Sequence, residues 1–138
     1  MPKDIQQWEA VKTTELTVSG GSKPSVTGEP LDFGKVDSNF SLILENSGAS
    51  DDLSVTYQIG YLSQGITEEQ AKKNPDTYIN WITPADGGTV TGMTNVDCAG
   101  SAVHASLSLA VAKFYRFTVT NNSTTKTATV RLSLIAQF

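Results

Sequence analysis

Cysteine and histidine are almost absent from the sequence. Its 138 residues include one cysteine, Cys98, and one histidine, His104. A single cysteine excludes an intrachain disulfide, which fits a reducing compartment or an assembly that leaves one. A zinc site needs three or four ligands, so these two residues would need carboxylates beside them. We therefore expect no metal and no cofactor.

Basic residues are also scarce. Ten lysines and arginines stand against 14 acidic residues, which gives a net charge of −4, and only Lys72 and Lys73 are adjacent. Binding to nucleic acid through its phosphates requires a basic face. The composition therefore argues against a nucleic-acid partner.

Long apolar runs are absent as well. A membrane-spanning helix needs about 18 or more consecutive apolar residues, and the sequence has no such run. The first residues, MPKDIQQWEA, lack the apolar core of a signal peptide. We expect no membrane partner, and synthesis in the cytoplasm of a host cell without export by the usual route.

Alternation of apolar and polar residues runs through most of the chain. In residues 53–61, Val55 and Tyr57 alternate with Thr56 and Gln58. Successive side chains of a strand point to opposite faces, so this pattern predicts a strand with one buried face. The same pattern predicts strands at 40–45, 101–111, 115–119 and 127–136, and weaker strands at 15–19, 78–82 and 88–92.

One segment departs from this alternation. In ITEEQAKKNP, residues 66–75, Thr67 is followed three residues later by Gln70, with acidic residues between them. This spacing is a capping-box signature, and acidic side chains stabilise the first turn of a helix. Pro75 cannot continue a helix. The segment therefore predicts one short helix over 67–74, in a loop between strands.

These elements predict an all-β fold, a two-sheet antiparallel β-sandwich of about eight strands with one short helix in a loop. A chain of this length buries about two-thirds of its unfolded surface, which is enough for one core. We expect a single sandwich domain over residues 1–138, with a short N-terminal arm at about residues 1–12. Jelly-roll and Ig-like strand orders both remain open.

Residues 31–59, LDFGKVDSNFSLILENSGASDDLSVTYQI, contain a Phe-Gly pair, then Asn-x-Gly, then Leu-x-Val. This arrangement resembles the ASH/Hydin-like branch of immunoglobulin-like domains, over 29 of 138 residues. The match is carried by Phe33, Gly34, Val36, Asn46, Gly48, Leu53 and Val55. It implies an Ig-like recognition or adhesion module that binds a protein or a glycan. An unrelated sandwich or jelly roll would place apolar and turn residues in the same way.

A second resemblance concerns the whole chain, which is short, acidic, rich in serine and threonine, and ends in the strand-like RLSLIAQF. In these features it is similar to small virion proteins of tailed bacteriophages, including capsid decoration and cement proteins. The resemblance implies a non-enzymatic structural protein of the virion. Its partners would be the major capsid protein or other virion subunits, with a homo-oligomer as the assembled form. A tail or baseplate component is the alternative within this class.

One arrangement in the sequence is a candidate for catalysis by a cysteine nucleophile. Cys98 lies six residues before His104, and Asp97 lies next to it. A nucleophile, a base and an orienting group must lie within hydrogen-bond reach of one another. The simpler interpretation is a loop cysteine and a histidine on the polar face of a strand. We therefore predict no catalytic residue and no enzyme.

Three aromatic residues are candidates for contact with a partner. Trp8 lies in the polar N-terminal segment, and Tyr78 and Trp81 lie in DTYINWITP, residues 76–84, next to a proline. Tryptophan and tyrosine dominate the energetics of many interfaces. The alternatives are that Trp81 closes one end of the sandwich and that Trp8 packs on the body of its own domain.

Overall fold

A computed structural model describes residues 5–32, 40–107 and 112–137, and in it the chain forms two antiparallel sheets. The strands in these residues are β1 (Ile5–Leu16), β2 (Ser25–Thr27), β3 (Leu31–Asp32), β4 (Phe40–Asn46), β5 (Leu53–Leu62), β6 (Ile79–Ile82), β7 (Ser101–Leu107), β8 (Phe114–Asn121) and β9 (Ala128–Gln137). The helices are α1 (Glu68–Lys73) and α2 (Pro75–Tyr78). The prediction of an all-β sandwich is confirmed, with nine strands in these residues rather than about eight.

The order of the strands decides between the two sandwich types. The first sheet has the order β1-β9-β4-β7, and the second has β2-β8-β5-β6, with β3 also paired to β8. The chain changes sheet at nearly every connection, and with β2 and β3 counted as one interrupted strand this is the eight-stranded jelly roll. In an Ig sandwich the last two strands lie side by side in one sheet. Here β8 and β9 lie in different sheets, so the Ig-like alternative is wrong.

The core lies between the sheets, because each central strand turns its apolar residues inward. The alternation predicted for residues 53–61 gives β5 a buried face made of Leu53, Val55 and Tyr57. The fully buried side chains of the core include Leu42, Leu44, Leu53, Val55, Phe117, Val119, Val130, Leu132 and Leu134. Burial of these side chains is the dominant favourable term in folding.

The N-terminal arm predicted for about residues 1–12 is wrong over its described part. Residues 5–16 form β1, an edge strand that pairs with β9 from Ile5 opposite Gln137 to Leu16 opposite Ala128. Its register shifts between Glu9 and Val11 and again before Thr14. Such bulges interrupt the alternation of apolar and polar residues, which is why the sequence pattern did not indicate a strand here.

The strand predicted at 88–92 is also wrong. Gly87, Gly88 and Gly92 have positive φ angles, which breaks the extended conformation. The segment instead runs beside residues 55–57 of β5, which β6 does not cover. Single hydrogen bonds hold it there, from the Tyr57 amide to the Gly88 carbonyl (2.8 Å) and from the Val55 amide to the Met93 carbonyl (2.8 Å). The short strands β2 and β3 were not predicted, because two or three residues carry no readable period.

The predicted helix is present, and a second one follows it. In α1 the Thr67 hydroxyl accepts from the Gln70 amide (3.2 Å), and the Thr67 amide donates to the Gln70 side chain (2.9 Å). Pro75 does end α1, but it also starts α2, where its fixed φ and missing N–H suit the first helical turn. The prediction of one helix is therefore corrected to two.

Candidate binding surface

The two helices cover part of the outer face of the second sheet. Ala71, Ile79 and Phe114 form a small buried cluster there, separate from the main core, and half-buried Tyr78 and Trp81 pack against it. A Cβ atom at Gly60 would lie 2.6 Å from Ile79 Cγ2 and 3.1 Å from Phe114 Cβ. The bare backbone at position 60 therefore allows this cluster to close on the sheet.

Gln58 and Trp81 hold the Arg116 side chain in one orientation on this face. It donates to Gln58 Oε1 through Nε (2.8 Å) and Nη2 (2.6 Å), and its guanidinium carbon lies 4.4 Å from the centroid of the Trp81 ring. Gln58 and Arg116 are directly opposite each other on β5 and β8. A cation over a tryptophan face is attracted by the negative charge of the ring face. The guanidinium is therefore held before any partner arrives.

The charge of Arg116 is only partly balanced. Burial lowers the pKa of the guanidinium, and the nearby Asp76 carboxylate opposes that shift. Arginine stays protonated in proteins all the same. In the described part of the chain, no carboxylate oxygen lies within 4.0 Å of Arg116. Among those described residues, Nη1 and one Nη2 hydrogen of Arg116 have no hydrogen-bond partner.

Arg116 lines a groove of about 570 Å³ between the helices, β8 and the β2–β3 edge. Asp32 carries ion pairs to Lys72 (3.2 Å) and Lys113 (3.9 Å). Ile79 and Phe114 add apolar surface to the lining. The volume lies within the range of about 300–1,000 Å³ that is usual for binding pockets, and the mixed lining suits a polar partner group with an apolar stem.

The structure brings two of the three candidate aromatic residues together. Tyr78 and Trp81 lie in the helical cluster, and one face of the Trp81 ring is occupied by Arg116. Trp8 lies on β1 opposite Leu134, half-buried against the main core between the sheets. Trp8 therefore contacts the body of its own domain and belongs to a different part of the molecule from the other two.

Cys98 and His104 are held on different sides of the first sheet. The Cys98 thiol is buried in the main core, and burial, with the Asp97 charge as a smaller cause, raises its pKa. His104 is exposed on β7, on the face opposite the buried Ala105. This placement does not form the dyad that the sequence left open.

The outer face of the first sheet has an arginine in a different environment. Arg131 donates to Glu9 (2.9 Å, from Nε) and to Glu45 (3.1 Å, from Nη1), across β1, β9 and β4. The hydrogen bond to Glu9 is the main reason that its pKa is raised. Arg131 is thus balanced by two carboxylates, whereas Arg116 is not, and the two form a matched pair for experiments.

Sequence reasoning did not single out Arg116 or Gln58. The alternation places both on polar strand faces, but their pairing depends on a register between β5 and β8 that the sequence does not contain. Tyr61 (52% exposed) and Ile82 (45% exposed), on neighbouring positions of β5 and β6, were also not singled out. Apolar side chains in predicted strands are normally assigned to the core.

Two further observations concern the described residues alone. No group of three or more histidine, cysteine, aspartate or glutamate residues in ranges 5–32, 40–107 and 112–137 is arranged to hold a metal ion. In the same ranges, neither helix has the length and apolar character needed to cross a membrane. The resemblance residues Phe33, Gly34 and Val36 lie outside the described residues.

Comparison with known proteins gives little further information. No family model matches the chain, and no curated protein matches it. Among solved structures, it is similar to a chain in the structure of the infectious bursal disease virus Gx strain, with 10% identity and a TM-score of 0.48. The match covers 99% of this chain and 32% of that one, so this chain spans about a third of its length. We assign neither a family nor a function from this likeness.

Proposed function

We propose that this chain is a non-enzymatic structural protein of a virion, of the decoration or cement kind, which acts by binding other virion subunits. The observation that carries a binding role is the Arg116 site. Tryptophan, tyrosine and arginine are the residues most enriched among interface hot spots, and Trp81, Tyr78 and Arg116 all lie on the outer face of the second sheet.

The virion assignment rests on fold-level analogy together with the composition of the chain. Jelly rolls are used by viral capsid domains, and also by lectins and cupins, and a fold alone does not define a function. The short, acidic, serine- and threonine-rich chain favours the first of these. Its partners are the major capsid protein or neighbouring virion subunits, and many repeated sites on a lattice would add avidity to modest single contacts.

The location of the cysteine and the histidine supports a binding role over an enzymatic one. A nucleophilic cysteine works as a thiolate in an accessible, positively charged environment. Cys98 is buried, and its pKa is raised rather than lowered. The exposed His104 lies on the other face of the sheet, so neither residue activates the other.

A lectin-like module is the second candidate function. The groove beside Arg116 combines carboxylates, Glu29 and Asp76 among them, with apolar side chains, and such a lining also suits the hydroxyl groups and apolar faces of a sugar. A glycan array separates the two candidates, because a virion subunit that binds protein gives no selective signal on it.

The first test is sedimentation of a lysate from the source culture through a density gradient, with each fraction probed for this chain. A virion protein travels with megadalton particles. A chain that stays at the top of the gradient as a small species contradicts the virion role, and leaves the recognition module as the candidate to test.

The second test concerns the Arg116 site itself. We predict that Arg116→Ala weakens rebinding of the purified chain to stripped particles by about thirtyfold, which corresponds to about 2 kcal/mol at a hot spot. Arg116→Lys keeps the positive charge but loses the two parallel N–H donors and the stacking on Trp81, so its affinity for the particles should lie between those of the unmodified chain and Arg116→Ala. Rebinding is measured by co-sedimentation at increasing chain concentration.

Arg131→Ala is the matched control, since it removes an arginine of the other sheet that two carboxylates already balance. It should leave rebinding within about twofold of the unmodified chain. Equal losses for the two alanine variants would contradict the proposed site, provided that both variants melt at the same temperature as the unmodified chain.

A further inference from the structure

An exposed strand edge offers unpaired N–H and C=O groups to any other strand, and proteins normally protect such edges. Among the described residues the sheets end in four strands, β1, β7, β2 and β6. β1 is protected by two register shifts and by the charged side chains of Glu9, Lys12 and Glu15. β2 has three residues and is followed by Gly28 and Pro30, and β6 has only four residues.

β7 has none of these protections. Its seven residues, SAVHASL, contain no charged side chain, no proline and no glycine. It pairs with β4 in an unbroken register, from Phe40 opposite Leu107 to Asn46 opposite Ser101. Among the described residues, the only loop hydrogen bond to the main chain of β7 joins the Ser101 amide to the Cys98 carbonyl. Within residues 5–32, 40–107 and 112–137, the outer edge of β7 is therefore long, free of bulges and unpaired.

We propose that β7 is a dimerisation edge, which pairs antiparallel with β7 of a second copy about a two-fold axis at His104. Two first sheets would then form one continuous eight-stranded sheet. The inference names the surface for the homo-oligomer in the proposed function, but it rests on the edge alone and applies equally to the purified chain.

A second copy fits this edge because the strand is complementary to itself. A two-fold axis at His104 places Ser101 opposite Leu107, Ala102 opposite Ser106, and Val103 opposite Ala105. These three pairs bring no two charges together and oppose no two bulky residues, and at the axis the two exposed His104 residues lie opposite each other. Ala102, His104 and Ser106 are exposed, so the approach of a second strand is open on the outer face. Such an isologous contact closes at two subunits and does not grow into a fibre.

The size of the contact sets its strength. Two seven-residue strands side by side run for about 24 Å and bury on the order of 500 Å². Stable complexes bury about 1,200 Å² or more. Dimerisation of the free chain is therefore weak and dependent on concentration, and it becomes strong where a lattice holds two copies close together.

The test uses charge reversal at the two-fold axis. Sedimentation equilibrium of the full chain, from micromolar to millimolar concentration, should show a monomer that becomes a dimer. His104→Lys places two lysines opposite each other and should weaken the dimer at least about tenfold, because like charges directly opposite are destabilising. His104→Glu should do the same. An equal mixture of the two variants should dimerise again, because lysine then faces glutamate.

Ser25→Lys is the matched control, since it adds the same charge to an exposed position of the β2 edge. It should leave dimerisation unchanged. A monomer up to millimolar concentration overturns the proposal, and so does a mixture that dimerises no better than either His104 variant alone. If the chain dimerises but does not travel with particles in the gradient, the proposal of a β7 dimer stands and the virion role is contradicted.

Discussion

At the residue scale, two buried asparagines hold the turns at one end of the sandwich. The Asn46 side chain accepts from the Gly48 and Thr129 amides (2.8 and 3.1 Å) and donates to the Ser50 carbonyl (2.9 Å). The Ser50 hydroxyl in turn donates to Asn121 Oδ1 (2.7 Å). A buried polar network in which each member is paired rigidifies a fold and specifies its packing.

Asn121 is the centre of this network. Besides Ser50, its Oδ1 accepts from the Ser123 amide (3.1 Å), and its Nδ2 donates to the carbonyls of Leu16 (3.2 Å) and Lys126 (2.9 Å). We predict that Asn121→Ala lowers the free energy of unfolding by about 3 kcal/mol, because several buried groups lose their partner. Urea denaturation measures this change.

The neighbouring Asn122→Ala is the control. Asn122 is half-buried and bonds the side chains of Asp52 (3.2 Å) and Ser54 (2.8 Å), which water can reach once the amide is gone. Asn122→Ala should lower the free energy of unfolding by about 1 kcal/mol. Equal costs for the two variants would contradict the central role of Asn121.

Cys98 provides a second test at this scale. Burial raises the pKa of its thiol, so at any pH near neutrality less thiolate is present than in an unfolded chain. We predict that iodoacetamide alkylates the folded chain at least about a hundredfold more slowly than the urea-denatured chain at pH 8. Mass spectrometry follows both rates. Equal rates would show that Cys98 is accessible and would reopen the enzymatic alternative.

The same shift has a consequence for stability. The folded-state pKa of Cys98 lies above its unfolded-state value. The stabilisation of the fold that comes from the neutral, buried thiol is therefore fully present at pH values below the unfolded-state pKa. It is lost as the pH rises through the folded value. Burial also raises the pKa of Tyr115, which acts in the same direction. The urea midpoint should therefore fall between neutral and strongly alkaline pH.

At the element scale, the edge strand β1 closes the corner between the sheets by bending. Ala10 and Val11 are both buried, because the register shift turns two successive residues inward. The bulge brings the Ala10 carbonyl against Gly28, which follows β2. A Cβ atom on Gly28 would lie 1.7 Å from that oxygen, so only glycine fits between the strands.

We predict that Gly28→Ala destabilises the fold by about 3 kcal/mol, since the clash is with main chain and not with a flexible side chain. Gly20→Ala is the control, because Gly20 has a φ of 61° and nothing within 4 Å of its Cβ position. This substitution adds only backbone strain and should lower the free energy of unfolding by about 1 kcal/mol. Thermal melting compares the two. A Gly28→Ala variant as stable as Gly20→Ala would mean that Gly28 and the Ala10 carbonyl of β1 can move apart without loss of stability.

At the scale of the whole molecule, the two proposed contact surfaces lie on different sheets. The Arg116 groove is on the outer face of the second sheet, and the β7 edge belongs to the first. If both proposals hold, one chain binds a partner subunit in the groove and a second copy at the edge at the same time. The Arg116 and His104 variants act on separate contacts, and effects on distant sites without shared partners add.

The alternation of apolar and polar residues was sufficient to predict an all-β sandwich, because the period of a strand is a local property of the backbone. The capping box over residues 67–70 predicted α1 for the same reason. The jelly-roll order, the pairing of Gln58 with Arg116, and the burial of Cys98 away from His104 were decided only by the tertiary structure. Each of them depends on which distant strands become neighbours, and a pattern of period two fits many such pairings equally well.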